Sequence, residues 1–212
     1  MHRGVLQAGL WWLAGLAMLL ASAIWIGAAD AGVPALDRQG LVLANAWRSP
    51  GLDFAFRRLT WLGSLLVLLP LMLVAGALLR HRGHRREAWF VVAAPVGAAI
   101  LAQLAKQLML RPRPELFPAL ASVASPFSFP SAHAIQVTAV AMGLLLAVVP
   151  LAPRCRSWAI PVLLAVVVLV GLSRLYLQVH YPSDVVAGAI AAACWVAGLR
   201  ASLFAAGATP SG

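Results

Sequence analysis

The sequence has 212 residues, of which 62% are hydrophobic and 10% are charged. Soluble domains are typically about 45–50% apolar and about 25% charged, so this composition excludes an ordinary soluble protein and a disordered one. Sixteen Lys and Arg against six Asp and Glu give a formal net charge of +10, which is typical of proteins that meet anionic lipids, phosphate groups or nucleic acids. The class indicated is a polytopic α-helical membrane protein, with 1–212 as a single domain.

Six apolar stretches are long enough to cross about 30 Å of hydrocarbon as helices, which takes roughly 20 residues each. They lie near residues 5–28, 60–79, 88–109, 133–151, 157–177 and 183–204. The apolar run of the first stretch is longer than the core of a signal peptide, about 7–15 residues, so we interpret it as a retained helix. The sequence therefore predicts an all-α fold, a bundle of six transmembrane helices.

The distribution of arginine predicts the orientation of this bundle. Arginines cluster in the loops 80–87 and 152–157, and Arg3 and Arg200 fall on the same side of the six-span arrangement. Short loops with an excess of Lys and Arg remain in the cytoplasm. We therefore expect both termini to be cytoplasmic. The short chain and the lack of a soluble domain are typical of a bacterial protein, so the membrane expected is the bacterial inner membrane.

The loops 29–59 and 110–132 then lie on the outer side. Apolar residues in the first loop predict short helices lying in the membrane interface; these residues are Leu36, Leu41, Leu43 and Trp47. The second loop is rich in proline, which breaks helices, and is expected to be irregular. Its prolines are Pro112, Pro114, Pro118, Pro126 and Pro130.

Six ionisable residues remain that topology does not explain, and each lies in or beside the outer end of a span. They are Lys106, Arg113, His133, Arg174, His180 and Asp184. Ionisable groups at membrane depth are costly and usually face a protein interior or a water-filled cavity. A single Lys or Arg could extend to the head groups. Six residues that three chain segments bring to one membrane face require a shared explanation.

The first two segments suit the binding of an anion. Lys106 and Arg113 are seven residues apart, about two helical turns, so one helix face could present both cations. Ser131 is a candidate N-cap for the fourth span, which would leave the backbone amides of Ala132 and His133 pointing outward. Such a helix N-terminus is a natural anion site.

The third segment, 173–184, carries Arg174 at the end of the fifth span, His180 before a proline turn and Asp184 in the first turn of the sixth span. Together the three segments offer cations, a hydroxyl, free amides, two histidines and an aspartate, which suits a phosphoryl group. A metal site is the competing interpretation of two His and an Asp. It is disfavoured because three cations would surround the metal ion.

Three motifs in these segments resemble the signature motifs of the type 2 phosphatidic acid phosphatase superfamily, a family of integral-membrane lipid phosphatases. They read Lys106-x6-Arg113-Pro114, Pro130-Ser131-Ala132-His133 and Ser173-Arg174-x5-His180-x3-Asp184. The second motif departs from the usual Pro-Ser-Gly-His at Ala132, whose methyl group restricts φ. A negative φ at a helix start would still allow its amide to contact phosphate.

The resemblance implies a two-step phosphoryl transfer that uses neither a metal nor a cofactor. His180 would be the nucleophile, Asp184 would accept a hydrogen bond from its other ring nitrogen, and His133 would protonate the leaving group and then activate water. The residues that would hold the phosphate are Lys106, Arg113, Ser131, Ala132 and Arg174. Arg111 matches no motif position, and we interpret it as a head-group contact or a solvated charge.

The function expected from this resemblance is hydrolysis of a lipid phosphate or pyrophosphate at the outer, periplasmic or exterior, membrane face. Substrates implied are undecaprenyl pyrophosphate, phosphatidylglycerophosphate, phosphatidic acid and lipid A phosphates. A lipid phosphotransferase is an alternative, as is a non-enzymatic binder or transporter of lipid phosphates, although no internal repeat supports a transporter. Nucleic-acid binding is disfavoured because the basic residues are dispersed among membrane loops. The sequence does not indicate the oligomeric state of the protein.

Overall fold

The computed structural model describes residues 2–29 and 33–204. Within these ranges the chain forms eight α-helices, which are α1 (His2–Gly27), α2 (Ala35–Ala46), α3 (Pro50–Leu59), α4 (Leu65–His81), α5 (Arg85–Met109), α6 (Ala132–Ala147), α7 (Arg156–Tyr176) and α8 (Pro182–Phe204). Short 3-10 helices follow α3, follow α6 and precede α7, at Thr60–Gly63, Val149–Leu151 and Pro153–Cys155. The described residues contain no β-strand, so the predicted all-α class is confirmed.

Five helical stretches are long and apolar enough to cross a membrane. They are α1, α5, α6 together with the 3-10 helix Val149–Leu151, α7 together with the 3-10 helix Pro153–Cys155, and α8. The helix α4 has 17 residues and reaches span length only together with the preceding segment Pro50–Gly63, from which it is bent by 44°. With this bent pair counted as one span, the described residues hold the six spans expected. The second span was expected to begin at residue 60, but α4 begins at Leu65 because the Ser64 hydroxyl caps it by accepting from the backbone N–H of Leu66.

The helix α6 lies at the centre of the bundle and packs against α5, α7 and α8, while α4 covers α5 and α1 covers α8. On α5 the residues Ala94, Ala98 and Ala102 are fully buried and follow one another at one-turn spacing. Small side chains on one face allow helix backbones to approach closely, which is how membrane helices usually associate. The large apolar side chains on the outer helices are mostly exposed, as expected of a surface that faces lipid.

The first outer loop folds into the two short helices α2 and α3, as its apolar residues predicted. On α2, Leu41 is buried, whereas Leu36, Leu43 and the following Trp47 are each more than 60% exposed. The helix therefore presents one face to the bundle and another to its surroundings. The proline-rich segment after α5 is irregular, also as predicted, and α5 ends at Met109 where Leu110 adopts a left-handed backbone with φ 48°.

Neighbouring spans run in opposite directions, which places four helix termini at one end of the bundle. These are the C-terminal ends of α5 and α7 and the N-terminal ends of α6 and α8. The arginine-rich loop 80–87 joins α4 to the other end of α5, and the loop 152–157 joins the other ends of α6 and α7. The three motifs and the loops used to predict orientation therefore lie at opposite ends of the molecule.

Candidate active site

A cavity of about 720 Å³ lies among these four helix termini. Its lining includes five of the six ionisable residues that the sequence grouped together, namely Lys106, Arg113, His133, Arg174 and His180. The sixth, Asp184, is fully buried next to His180. The fold therefore brings the three motifs together around one concave site, which is where a ligand is most readily bound.

His180 lies in the turn between α7 and α8 and is only 2% exposed. Its Nδ1 is 3.4 Å from Asp184 Oδ2, and its Nε2 is 3.4 Å from Arg113 Nη1. A guanidinium can only donate hydrogen bonds and a carboxylate can only accept them. The contacts therefore favour the tautomer with the proton on Nδ1 and a lone pair on Nε2, the ring nitrogen available to a ligand.

The surroundings of His180 also favour its neutral form. Burial, together with the positive charges of Arg174 and Arg113, lowers the pKa of His180 well below its ordinary value of 6.5. A lowered pKa means that the imidazole stays unprotonated through neutral and mildly acidic pH. An unprotonated imidazole is the nucleophilic form.

Lys106 lies in the last turn of α5 and is only 3% exposed. Its Nζ donates hydrogen bonds to the backbone carbonyls of Phe127, at 2.8 Å, and Ser128, at 3.3 Å. Carbonyl oxygens orient the ammonium but do not neutralise it. Lys106 therefore lines the cavity with an ammonium group that these contacts orient without a counter-charge.

The two motif arginines are held in a similar way by neutral groups. Arg113 donates from Nε to the carbonyl of Ser125, at 2.8 Å, and from Nη1 to the carbonyl of Val179, at 2.6 Å. Arg174 is buried and donates from Nη1 to the hydroxyl of Thr60, at 2.6 Å. Three cations oriented by uncharged partners give the cavity a positive potential, which suits a dianionic phosphoryl group.

The N-terminus of α6 provides the second motif. Ser131 is the N-cap, as predicted, and its hydroxyl accepts from the backbone N–H of Ala134 at 3.5 Å. The backbone N–H of Ser131 donates to the carbonyl of Asp184 at 3.0 Å, which ties the start of α6 to α8. Ala132 and His133 line the cavity, and Ala132 is the first residue of the helix. Its helical backbone suits alanine without strain, so the missing glycine does not distort the site.

The interpretation of Arg111 as a head-group contact or a solvated charge is wrong. Arg111 is 4% exposed, and it donates to Asp184 Oδ1 at 2.6 Å and to Asp37 Oδ2 at 2.7 Å. Its guanidinium also lies over the Tyr181 ring, 3.9 Å from the centroid. The residues around Arg111 do not indicate this network, because Asp37 lies 74 residues away in the first outer loop.

Other cavity residues were also missed because they lie outside the motifs. They come from the first outer loop, from α4 and α5, and from the segment 120–125. Among those of the first outer loop is another cation, Arg57. The residues with polar side chains in this set are Arg57, Thr60, Ser64, Gln103, Ser122 and Ser125. A search for polar residues in the outer loops would have found candidates but could not have shown which of them reach the cavity.

Residues 87–207, more than half of the sequence, match the PAP2 superfamily. The chain belongs to this superfamily. PAP2 proteins are phosphatases that act on lipid phosphates, so this chain is an enzyme that hydrolyses a lipid phosphate and a multi-pass membrane protein. The resemblance noted from the three motifs is confirmed, and the alternative of a non-enzymatic binder or transporter is wrong.

Two curated PAP2 relatives illustrate the similarity. Decaprenylphosphoryl-5-phosphoribose phosphatase of Mycobacterium tuberculosis is 37% identical over 143 residues, which are 66% of this chain and 73% of that protein. Phosphatidylglycerophosphatase B of Bacillus subtilis is 28% identical over 174 residues, which are 81% of this chain and 83% of that protein. Both matches extend well beyond the short motifs.

Two crystal structures share the PAP2 fold. The PAP2-type phosphatidylglycerolphosphate phosphatase of Bacillus subtilis has a TM-score of 0.76 and 24% identity, and the match covers 95% of this chain and 98% of that chain. LpxE of Aquifex aeolicus has a TM-score of 0.64 and 26% identity, covering 79% of this chain and 96% of that chain. The arrangement of helices described above is therefore that of a known transmembrane PAP2 phosphatase.

Proposed function

We propose that this PAP2 protein hydrolyses a membrane lipid phosphate or pyrophosphate without a metal ion, through a phosphohistidine intermediate on His180. The observation that carries the proposal is the placement of His180, with Nδ1 against Asp184 and Nε2 beside Arg113 in a cavity lined by Lys106 and Arg174. A neutral imidazole with its lone pair on Nε2, beside three cations that line the same cavity, is arranged to attack a bound phosphoryl group.

In the first step of the proposed reaction, His180 Nε2 attacks phosphorus in line with the leaving oxygen. The N–P bond forms while the P–O bond to the lipid alcohol, or to the lipid-linked phosphate of a pyrophosphate, breaks. His133, protonated once the negative charge of the bound phosphate offsets the cations of the cavity, donates its proton to the leaving oxygen. The Nδ1–H of His180 stays hydrogen bonded to Asp184. The carboxylate thereby stabilises the positive charge that develops on the phosphorylated ring.

In the second step, His133 is neutral and takes a proton from a water molecule that attacks the phosphoryl group. The N–P bond breaks, the electron pair returns to His180 and inorganic phosphate is released. Lys106, Arg113 and Arg174 would hold the three equatorial oxygens throughout, where charge persists in the transition state. The remaining phosphate contacts proposed are the Ala132 amide and the Ser131 hydroxyl, which caps α6 as an acceptor and keeps its O–H as a donor.

The proposed substrate is a lipid whose head group carries a terminal phosphate or diphosphate. The names of both curated relatives describe substrates with two phosphoryl groups, and Arg57 adds a cation to the cavity beyond those of the three motifs. A second phosphoryl group near Arg57 would gain from this charge. The substrates that fit are undecaprenyl pyrophosphate, phosphatidylglycerophosphate and lipid A phosphates, with phosphatidic acid as the single-phosphate comparison.

The proposed location of the site is the outer face of a bacterial cytoplasmic membrane, with both termini inside. The support is the separation of charge along the bundle, since the arginine-rich loops 80–87 and 152–157 lie at the end opposite to the cavity. Short loops rich in arginine favour the cytoplasmic side. An outward-facing site favours undecaprenyl pyrophosphate and lipid A phosphates.

A substrate panel tests this proposal. Phosphate release by purified protein is measured on each of the four lipids, and the lipid with the highest kcat/KM is the preferred substrate. Excess EDTA should leave the rate of phosphate release from that lipid unchanged. Activity that EDTA removes and added divalent metal restores would contradict the metal-free mechanism. Phosphate that appears on a second lipid instead of in solution would favour the alternative of a lipid phosphotransferase.

A further inference from the structure

We propose that α2, the first of the two short helices in the first outer loop, contributes to the geometry of the active site. Through Asp37 and Arg111 it positions Asp184, and Asp184 in turn orients His180. The inference rests on the proposed role of His180 and assigns a positioning function to two residues outside the family motifs. Contacts of α2 with Arg111 and with the segment 178–184 support this role.

The first contact is a buried bridge of charges. Arg111 spans two carboxylates, donating from Nη1 to Asp184 Oδ1 at 2.6 Å and from Nη2 to Asp37 Oδ2 at 2.7 Å. The exposed fractions of Arg111, Asp37 and Asp184 are 4%, 1% and 0%. Charges this deeply buried are tolerated when they are paired, and the planar guanidinium fixes the geometry of both partners.

The bridge determines which oxygen of Asp184 faces His180. Arg111 engages Oδ1, while Oδ2 accepts from the backbone N–H of Tyr181, at 2.9 Å, and lies 3.4 Å from His180 Nδ1. With both oxygens engaged, rotation of the carboxylate would break hydrogen bonds. Arg111 therefore restrains the group that selects the His180 tautomer.

Asp37 also holds the start of α8 directly. Its Oδ1 accepts from the backbone N–H of Ser183 at 2.8 Å, and its Oδ2 accepts from the Ser183 hydroxyl at 2.6 Å. Ser183 immediately precedes Asp184, and its hydroxyl also accepts from Arg111 at 2.8 Å. One carboxylate on α2 thus fixes both the backbone next to Asp184 and the arginine that binds it.

Two further contacts dock α2 on the same turn. Gln178, whose backbone is left-handed with φ 58°, donates from its side-chain amide to the carbonyl of Leu41 at 3.2 Å. Gly40 lies so close to Pro182 that a Cβ atom there would collide with the proline ring. Anchoring α2 in the interface would require only its outward apolar face, so a buried face built around Asp37 indicates a role toward the site.

The first test compares Asp37→Asn with Asp53→Asn. We expect Asp37→Asn to lower kcat by roughly 10²-fold, as a small misplacement of reacting groups can do, and to leave the inhibition constant of inorganic phosphate unchanged. Asp53→Asn is the control, because Asp53 is an outer-loop carboxylate that accepts from the Tyr176 hydroxyl, at 2.7 Å, and does not contact Asp184. A wild-type kcat in Asp37→Asn, or an equal loss in both variants, would overturn the inference.

A double-mutant cycle separates positioning from a general structural effect. If Asp37 acts through Asp184, Asp37→Asn should cause little further loss of kcat in an Asp184→Asn background. Losses that multiply would show that Asp37 acts independently and would overturn the inference. If His180→Ala retains activity, the proposed function itself fails. If His180→Ala is inactive but the losses of kcat in Asp37→Asn and Asp184→Asn multiply, only the role of α2 is refuted.

Gly40→Ala tests the same docking with every charge retained, and it decides the matter if Asp37→Asn fails to fold. The added methyl group must push α2 away from Pro182 and should lower kcat. Gly51→Ala is the matched control on α3, where nothing lies within 4 Å of the added Cβ. Wild-type kcat in both glycine variants would contradict the inference.

Discussion

Replacement of His180 by alanine is expected to reduce phosphate release by about 10⁴-fold or more, because the proposed covalent route loses its nucleophile. The protein should still fold, since Asp184 keeps its hydrogen bonds to Arg111 and to the backbone N–H of Tyr181. The measurement is phosphate release from the preferred lipid by variant protein recovered from membranes in normal yield.

The control for this variant is His81→Ala. His81 is an exposed residue at the end of α4, in the arginine-rich loop region opposite the cavity. Its replacement should leave turnover unchanged. Turnover of His180→Ala at a rate near that of the wild type would show that another group attacks phosphorus.

Replacement of Lys106 by methionine is expected to weaken the binding of inorganic phosphate about 10- to 100-fold, the usual cost of one charge-assisted hydrogen bond. Methionine has a similar length and no charge, so the change removes the ammonium and keeps most of the packing. The carbonyls of Phe127 and Ser128 lose their donor, and the phosphate loses a cation. The inhibition constant of phosphate against lipid hydrolysis measures the effect.

Arg86→Met provides the comparison, because Arg86 is an exposed cation at the opposite end of the same helix, α5. It should change neither phosphate inhibition nor kcat. If Lys106→Met leaves the inhibition constant of phosphate unchanged, Lys106 does not belong to the phosphate site.

The sequence predicted the helices and the clustering of the motif residues because both depend on simple patterns. Hydropathy over roughly 20 residues identifies a span. Because successive spans cross the membrane in opposite directions, every second loop lies on the same membrane face. Lys106, His133, Arg174 and His180 lie on three segments that this alternation brings to one end of α5 to α8, where they line the cavity. Costly charges at membrane depth then indicated a shared cavity.

The path by which Arg113 reaches the cavity could not be predicted in the same way. The spacing of Lys106 and Arg113 allowed both to share one helix face, but α5 ends at Met109 and Arg113 lies in the irregular segment beyond it. Its hydrogen bonds to the carbonyls of Ser125 and Val179 determine its position. Such tertiary contacts leave no periodic signal in a sequence.

The network of Arg111 was missed for a similar reason. An arginine beside a membrane span has a ready explanation in head-group binding, so nothing in the local sequence requires a buried partner. The partner Asp37 is on α2, and the apolar residues of that helix predicted only that it would lie in the interface. The length and hydropathy of a short outer helix do not show which polar residue it turns inward.

The central claim, that phosphate passes through a covalent bond to His180, is tested most directly by rapid-mixing kinetics of His133→Ala with p-nitrophenyl phosphate. This leaving group needs no proton from His133, whereas attack by water in the second step does need that base. The proposal predicts a burst of p-nitrophenolate equal to the enzyme concentration, a slow steady state and phosphate attached to the peptide that contains His180. Linear release of p-nitrophenolate from the first turnover, with no phosphorylated His180, would contradict it.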